Sequence, residues 1–142
     1  MKMQYKKIAI NKFVVRLEKE EEIIKTLKSF CMKKRISGGE ISGIGAVSKV
    51  TLAHFNPKKN KYNEKKYHQP LEMVFIGGNI AMAGKDLIIH LHTVLSDEKM
   101  NAIGGHLKEG TISATAEIFI KSEAKLIKKM DKKTRLNLLN LK

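Results

Sequence analysis

Three of the five histidines in the chain, His90, His92 and His106, lie within seventeen residues of one another. The first two lie within the run Asp86–Leu95, whose composition predicts a strand. Residues two apart on a strand point to the same face, about 6.5–7 Å apart, so both rings can turn toward one ion. Gly104-Gly105 gives the backbone before His106 unusual freedom. We expect a turn there to bring the third ring back to the same point.

Three imidazoles that converge in this way make a metal site. Neutral imidazole binds zinc, nickel, copper and iron, and three protein ligands leave a position open for water or a small ligand. The alternative is that each ring is a half-buried strand residue with a hydrogen-bonded nitrogen. Either motif alone would favour that alternative. Together they predict zinc, or another divalent transition metal, at one ion per chain.

Composition predicts the kind of protein. The chain has 142 residues, 42% of them hydrophobic, which is typical of one globular domain over residues 1–142. Cys31 is the only cysteine, which excludes an internal disulfide, and its place on a predicted helix favours a buried structural thiol. The basic N-terminus lacks the apolar core of a signal peptide, and no apolar run approaches the roughly 20 residues that span a bilayer. We expect a cytoplasmic protein without membrane contact.

The net charge of +14 suggests a polyanionic partner. Lysine supplies most of it, in residues 2–12, 57–66 and 121–142, and there are only three arginines. Arginine is the residue that reads guanine with two hydrogen bonds, so base-specific recognition has little to use. A lysine-rich solvated surface is the simpler interpretation, and DNA affinity through phosphate contacts is the alternative. The candidate contacts in the tail are Lys128, Lys129, Lys132 and Lys133.

One helix is predicted, over Glu18–Arg35. It begins with acidic residues and ends with basic ones, as the helix macrodipole favours, and we expect Ser37–Gly39 to terminate it. Its apolar face recurs at helical spacing and comprises Ile23, Ile24, Leu27, Phe30 and Cys31.

The rest of the chain predicts strands joined by short turns. This pattern indicates an α+β domain, an antiparallel β-sheet with one main α-helix packed on it. In the histidine strand, Leu87, Ile89 and Leu91 should face the core, which leaves the histidines on the other face with Ile88. The predicted strands are one or two within Tyr5–Leu17, then Glu40–Val47, Lys49–Phe55, a hairpin around Pro57–Lys66, Leu71–Ile80, Leu87–Leu95 and Thr111–Lys121.

Two glycine-rich segments resemble nucleotide-binding motifs but do not match them. Gly43–Ser48 lacks the third glycine of a dinucleotide fingerprint and leads into a strand. Gly78–Asp86 has one residue too many for a phosphate loop and an aspartate where Ser or Thr should bind magnesium. We therefore expect no nucleotide cofactor. His54 and His68 flank the hairpin without a partner ligand and are expected at exposed or edge positions.

The order and spacing of several short motifs resemble the PPC (plants and prokaryotes conserved) domain, from about Lys12 to the C-terminus. This resemblance implies an antiparallel sheet flanked by a few helices, a homotrimer, and a metal site, often zinc, at His90, His92 and His106. Plant members join the domain to an Arg-Gly-Arg AT-hook that binds A·T-rich DNA, but these 142 residues contain no Arg-Gly-Arg. The matching motifs are Val15–Leu17, Ile41–Ser48, Leu71–Ile80, Ile89–Leu95, Gly104–Leu107 and Thr115–Ile118.

Three classes of function follow. The first is a homotrimeric metal-binding protein with a regulatory or interaction role, and it includes non-specific association with DNA. The second is a small metal-dependent enzyme that uses the open position of the three-histidine site, with Glu72 and Glu117 as candidate hydrogen-bond partners behind the ligands. The third is a lysine-based DNA-coating protein. Arg16 is a weaker candidate for an anion contact, and a surface salt bridge is its simpler role.

Any DNA binding should be indifferent to sequence and strongly dependent on salt. Lysine contacts to phosphate release counterions, so affinity should fall by orders of magnitude between about 50 and 200 mM salt if several phosphates are engaged. Fluorescence anisotropy on A·T-rich and G·C-rich duplexes should give similar affinities. Replacing a tail lysine that binds a phosphate should lower the slope of log affinity against log salt concentration by about one unit. A marked preference for one sequence at physiological salt would contradict this expectation.

Overall fold

The computed structural model describes residues 2–142 as a mostly antiparallel β structure with one short helix. The predicted combination of an antiparallel sheet and a single helix is therefore confirmed. The elements, in chain order, are β1 (Gln4–Ala9), β2 (Lys12–Glu18), α1 (Ile23–Lys33), β3 (Gly39–Asn56), β4 (Lys61–Ala83), β5 (Asp86–Ser96), β6 (Ala102–Ser122), β7 (Lys128–Met130) and β8 (Asn137–Leu139).

Six strands form one sheet in the order β1-β2-β6-β3-β4-β5. Strand β6 also pairs with β5, so β3, β4, β5 and β6 form a closed ring of hydrogen-bonded strands. The length of β6 makes this possible, because residues 102–106 pair with β5 and residues 115–121 pair with β2. The last two strands, β7 and β8, pair only with each other.

Helix α1 buries one face against the sheet. Ile23, Leu27, Phe30 and Cys31 are fully buried among sheet residues, at the helical spacing read from the sequence, whereas Ile24 is only half-buried. Burial raises the pKa of the Cys31 thiol to about 12, which agrees with a structural role for it. No helix in the described part of the chain is long and apolar enough to cross a membrane.

Both predicted ends of the helix were wrong. Glu18 belongs to β2, and the helix begins only after Glu22, whose carboxylate accepts from the backbone N–H groups of Ile24 and Lys25. The acidic residues thus precede and cap the helix. At the other end Arg35 adopts a left-handed conformation (φ 56°), and the N–H of Ile36 donates to the Cys31 carbonyl. The helix therefore ends before the glycines that were expected to stop it.

The strands are longer than predicted, because irregular register joins segments that the sequence pattern separates. The two strands expected on either side of Ser48 are one strand, β3, whose register shifts between Val47 and Lys49. The hairpin turn is confined to residues 57–60, and β4 continues from there to Ala83. Gly43–Ser48 lies within β3, and Gly78–Asp86 crosses the turn from β4 to β5, so neither segment precedes a helix.

Candidate metal centre

The pairing of β5 with β6 brings the three histidines together. His92 lies directly opposite His106 across the two strands, and His90 stands two residues earlier on the same face of β5. One ring nitrogen from each histidine lies within 4.8 Å of the other two. The ring centroids are 5.1–5.4 Å apart, at steep angles to one another. The three rings therefore surround one point instead of stacking.

Burial of the opposite face of β5 fixes the direction of these rings. Leu87, Ile89 and Leu91 are buried in the core, as the alternation in the sequence predicts. Because successive side chains on a strand point to opposite faces, His90 and His92 must point away from that core. His90 is half-buried and His92 is exposed, so the cluster is accessible from solvent.

The glycines before His106 do not form the turn that was expected there. Gly104 and Gly105 lie within β6, and the turn that reverses the chain is residues 97–101, where Met100 has a φ of 63°. A Cβ on Gly104 would lie 2.9 Å from the Thr93 carbonyl oxygen, so glycine permits close strand approach here. On the other side of β5, a Cβ on Gly78 would lie only 1.8 Å from the His90 carbonyl oxygen.

Two of the rings are held in a positively charged and partly desolvated environment. Burial lowers the pKa of His90 to about 4, and the charge of Lys128 adds to this effect. Burial also lowers the pKa of His106 to about 4, with the charge of His92 next in importance. Both imidazoles are therefore neutral at pH 7, which is the form that binds a metal.

The residues present fit a divalent transition metal. The donor set is three imidazole nitrogens, and His106 Nδ1 is buried without a hydrogen-bond partner among the described residues. A buried polar atom in that state is costly unless something binds it. A cavity of about 240 Å³ opens beside the cluster, with His90 and His106 in its wall, so there is room for a further ligand.

The candidate partners Glu72 and Glu117 are not brought to the histidines. Both line a separate cavity of about 500 Å³ together with the apolar residues Ile44 and Val74. The carboxylate that affects the pKa of His106 is that of Glu64. Its negative charge raises this pKa and partly opposes the effect of the lysine charges, and it pairs with Lys108 at 3.5 Å. Glu64 and His106 lie on opposite sides of Ala53 across the sheet, a proximity that depends on the register of three strands.

Lys128 is placed differently from the phosphate contact that the sequence suggested. Its side chain is buried, with 6% of the residue exposed, and its Nζ lies 3.0 Å from His90 Nδ1. Burial lowers the pKa of this lysine. The residue therefore lines the histidine cavity, and its side chain is too buried for the expected DNA contact, whereas Lys129, Lys132 and Lys133 are exposed.

Sequence reasoning did not place Lys128 or Tyr62 beside the histidines. The Tyr62 ring lies 5.2 Å from the His106 ring, at the start of the long strand β4. No motif marks either residue, because each is far from the histidines in sequence. His54 and His68 are exposed, as expected, and Arg16 forms a salt bridge with Glu18 at 2.9 Å.

Comparison with known proteins identifies the family. The sequence profile of the Plants and Prokaryotes Conserved domain matches residues 5–124, and the chain belongs to this family. No curated protein matches the sequence.

Several solved structures share the fold over nearly the whole chain. A candidate DNA-binding protein from Bacteroides thetaiotaomicron is 31% identical, with a TM-score of 0.93 over 97% of this chain and 96% of that one. A metal-containing protein from Archaeoglobus fulgidus is 25% identical, with a TM-score of 0.84 over 91% and 92%. A plant- and prokaryote-conserved protein from Pyrococcus horikoshii is 26% identical, with a TM-score of 0.85 over 99% and 96%.

The lowered histidine pKa values predict a pH dependence of stability in the metal-free protein. Between pH 6.5, the ordinary histidine pKa, and about 4, the unfolded chain takes up protons that folded His90 and His106 do not. The free energy of unfolding should therefore fall as the pH drops through this window. Urea denaturation at several pH values should show a shallower fall for the double variant His90→Ala/His106→Ala. The control His54→Ala/His68→Ala should keep the wild-type slope, and an equal slope in all three proteins would contradict the assignment.

Proposed function

We propose that this protein is a homotrimeric metal-binding member of its family, one domain over residues 1–142, with a regulatory or interaction role. Each chain would hold one divalent ion, zinc in the first place, through His90, His92 and His106. The observation that carries the proposal is the convergence of three imidazole nitrogens within 4.8 Å on a solvent-accessible face. The description of the Archaeoglobus fulgidus relative as metal-containing supports it.

The second candidate is a small metal-dependent enzyme, and the cavity beside the histidines favours it. A divalent ion bound by three histidines has an open coordination position and supplies Lewis-acid chemistry to whatever ligand enters it. Besides the histidines, the polar side chains that line this cavity are Tyr62, Lys128 and Asn137. Glu72 and Glu117 line the other cavity, which leaves no assigned general base, so we place metal binding with a regulatory role first.

Self-association is supported by an exposed apolar patch on the sheet. We define this patch as Ile44, Val74, Phe75 and Val94, which come from three neighbouring strands and are each 41–56% exposed. Contiguous apolar surface of this kind is typical of protein interfaces. Burying the patch against other copies of the chain would remove it from water, in agreement with the homotrimer that the family resemblance implies.

Association with DNA is the less specific part of the proposal. The Bacteroides thetaiotaomicron relative is described as a candidate DNA-binding protein, and this chain carries a net charge of +14. The exposed lysines Lys129, Lys132 and Lys133 could contact phosphates. We propose a salt-sensitive, non-specific affinity, in which the metal site takes no direct part.

The metal proposal predicts about one equivalent of zinc per chain after incubation with zinc and desalting. The variant His92→Ala should lose most of it, because two imidazoles bind zinc far more weakly than three. The control His68→Ala removes an exposed histidine outside the cluster and should keep the metal. Inductively coupled plasma mass spectrometry gives the ratio. Equal metal content in wild type and His92→Ala would rule out the assigned ligands.

The oligomer proposal predicts the mass of three chains in size-exclusion chromatography with light scattering. Val74→Glu places a charge within the exposed patch and should shift the protein toward smaller species, because an unpaired charge in an apolar interface is costly. Ile10→Glu is the matched control, since Ile10 is 89% exposed at the β1–β2 turn, away from the patch. A monomer at all concentrations for the wild type would contradict the trimer.

A further inference from the structure

The contact between Lys128 and His90 cannot persist as a hydrogen bond once a metal is bound. A neutral imidazole has one acceptor nitrogen, and its other nitrogen carries a proton. In the metal-free protein that acceptor is His90 Nδ1, which lies 3.0 Å from the Lys128 ammonium. A metal takes the single lone pair of the ring, whichever nitrogen it binds, and an ammonium group has only donors. Metal binding therefore leaves Lys128 without its acceptor.

No other group of the described chain replaces that acceptor. Residue Lys128 is 6% exposed, its Nζ has no second hydrogen bond, and it forms no ion pair among residues 2–142. The nearby carboxylate of Glu64 is already paired with Lys108. An ammonium group this close to a divalent ion, with no carboxylate paired to it, is an unfavourable concentration of positive charge. An anion from solution would relieve it.

The walls of the cavity indicate which kind of anion fits. The cavity has both polar and apolar walls: the polar side chains are His90, His106, Tyr62, Lys128 and Asn137, and the apolar ones are Ile88, Ile89, Leu136 and Leu138. A cavity of about 240 Å³ with a cationic group and aliphatic walls suits a small molecule that combines an anionic group with a short apolar chain. A carboxylate has two oxygens, so one can occupy the open position of the metal while the other accepts from Lys128.

The C-terminal segment supplies much of this cavity. Four of the nine residues that line it, Lys128, Leu136, Asn137 and Leu138, lie beyond residue 124, where the match to the family profile ends. The segment is anchored by the Met82 N–H, which donates to the Leu126 carbonyl at 2.8 Å, and by the Leu126 N–H, which donates to the Ser37 carbonyl at 3.3 Å. The residues beyond the family match thus contribute to the cavity but not to the three-histidine cluster.

We propose that the metal-loaded protein binds a small aliphatic carboxylate, with Lys128 as the residue that recognises its charge and with Leu136 and Leu138 in the wall that contacts its apolar chain. This inference rests on the proposed metal site. Butyrate is a suitable probe because it combines a carboxylate with a short alkyl chain. Its neutral amide, butyramide, has nearly the same shape without the charge.

Isothermal titration calorimetry of butyrate into zinc-loaded protein tests the inference, after metal analysis of the same samples. Wild type and the exposed-neighbour control Lys129→Met should bind butyrate similarly, and both should bind butyramide and acetate more weakly. Lys128→Met should keep its zinc and weaken butyrate binding about tenfold or more, the effect expected for loss of a charged hydrogen bond. Lys128→Arg should recover most of the affinity, which separates charge recognition from misfolding.

The different failures are distinguishable. Wild-type protein that takes up no zinc overturns the proposed metal site, and this inference with it. Zinc-loaded Lys128→Met that binds butyrate as tightly as wild type overturns only the role of Lys128. Loss of zinc from Lys128→Met would show that the lysine ligates the metal itself, which also contradicts the inference.

Discussion

The antiparallel pairing of β5 with β6 determines both the closure of the sheet and the position of the histidine cluster. This pairing closes the ring of strands β3 to β6, and its register sets His92 opposite His106. A slip of one residue would turn a whole strand face over, sending Leu91 outward and the histidines into the core. Burial of Leu87, Ile89, Leu91 and Leu95 therefore opposes such a slip. The same apolar contacts that stabilise the fold thus hold the histidine cluster in place. Glycine at positions 78 and 104 lets the neighbouring strands approach β5 closely.

Much of the fold was predictable because its signals are local. Period-two alternation in β5 and the helical spacing of Ile23, Leu27, Phe30 and Cys31 each depend on neighbouring residues alone, and both were confirmed. The errors occur where tertiary contacts override local propensity. Glu18 continues a strand because it pairs with Thr115, almost a hundred residues away. Strand β3 remains one long strand despite its register shifts, because β4 and β6 pair with it on both sides.

The candidate site, like the fold, was predictable only in part from the sequence. His90 and His92 carry a two-residue spacing that any strand converts into a shared face, and the structure gathers the third histidine, although through strand pairing instead of the expected glycine turn. Lys128 and Tyr62 could not be found in this way, since they meet the histidines only through the path of the C-terminal segment and the long hairpin. The lysines show the limit most clearly: Lys129, Lys132 and Lys133 are exposed, whereas Lys128, next to Lys129 in sequence, is buried beside His90.

We propose above that His90, His92 and His106 share one metal ion. X-ray absorption spectroscopy of the zinc-loaded protein tests this proposal, because it reports the ligands of the ion itself. We expect three imidazole nitrogens at about 2.0–2.1 Å, with their characteristic ring scattering, and one further oxygen ligand. That spectrum should lose an imidazole in His92→Ala. A shell made only of oxygens, or one with a sulfur at about 2.3 Å, would contradict the assignment.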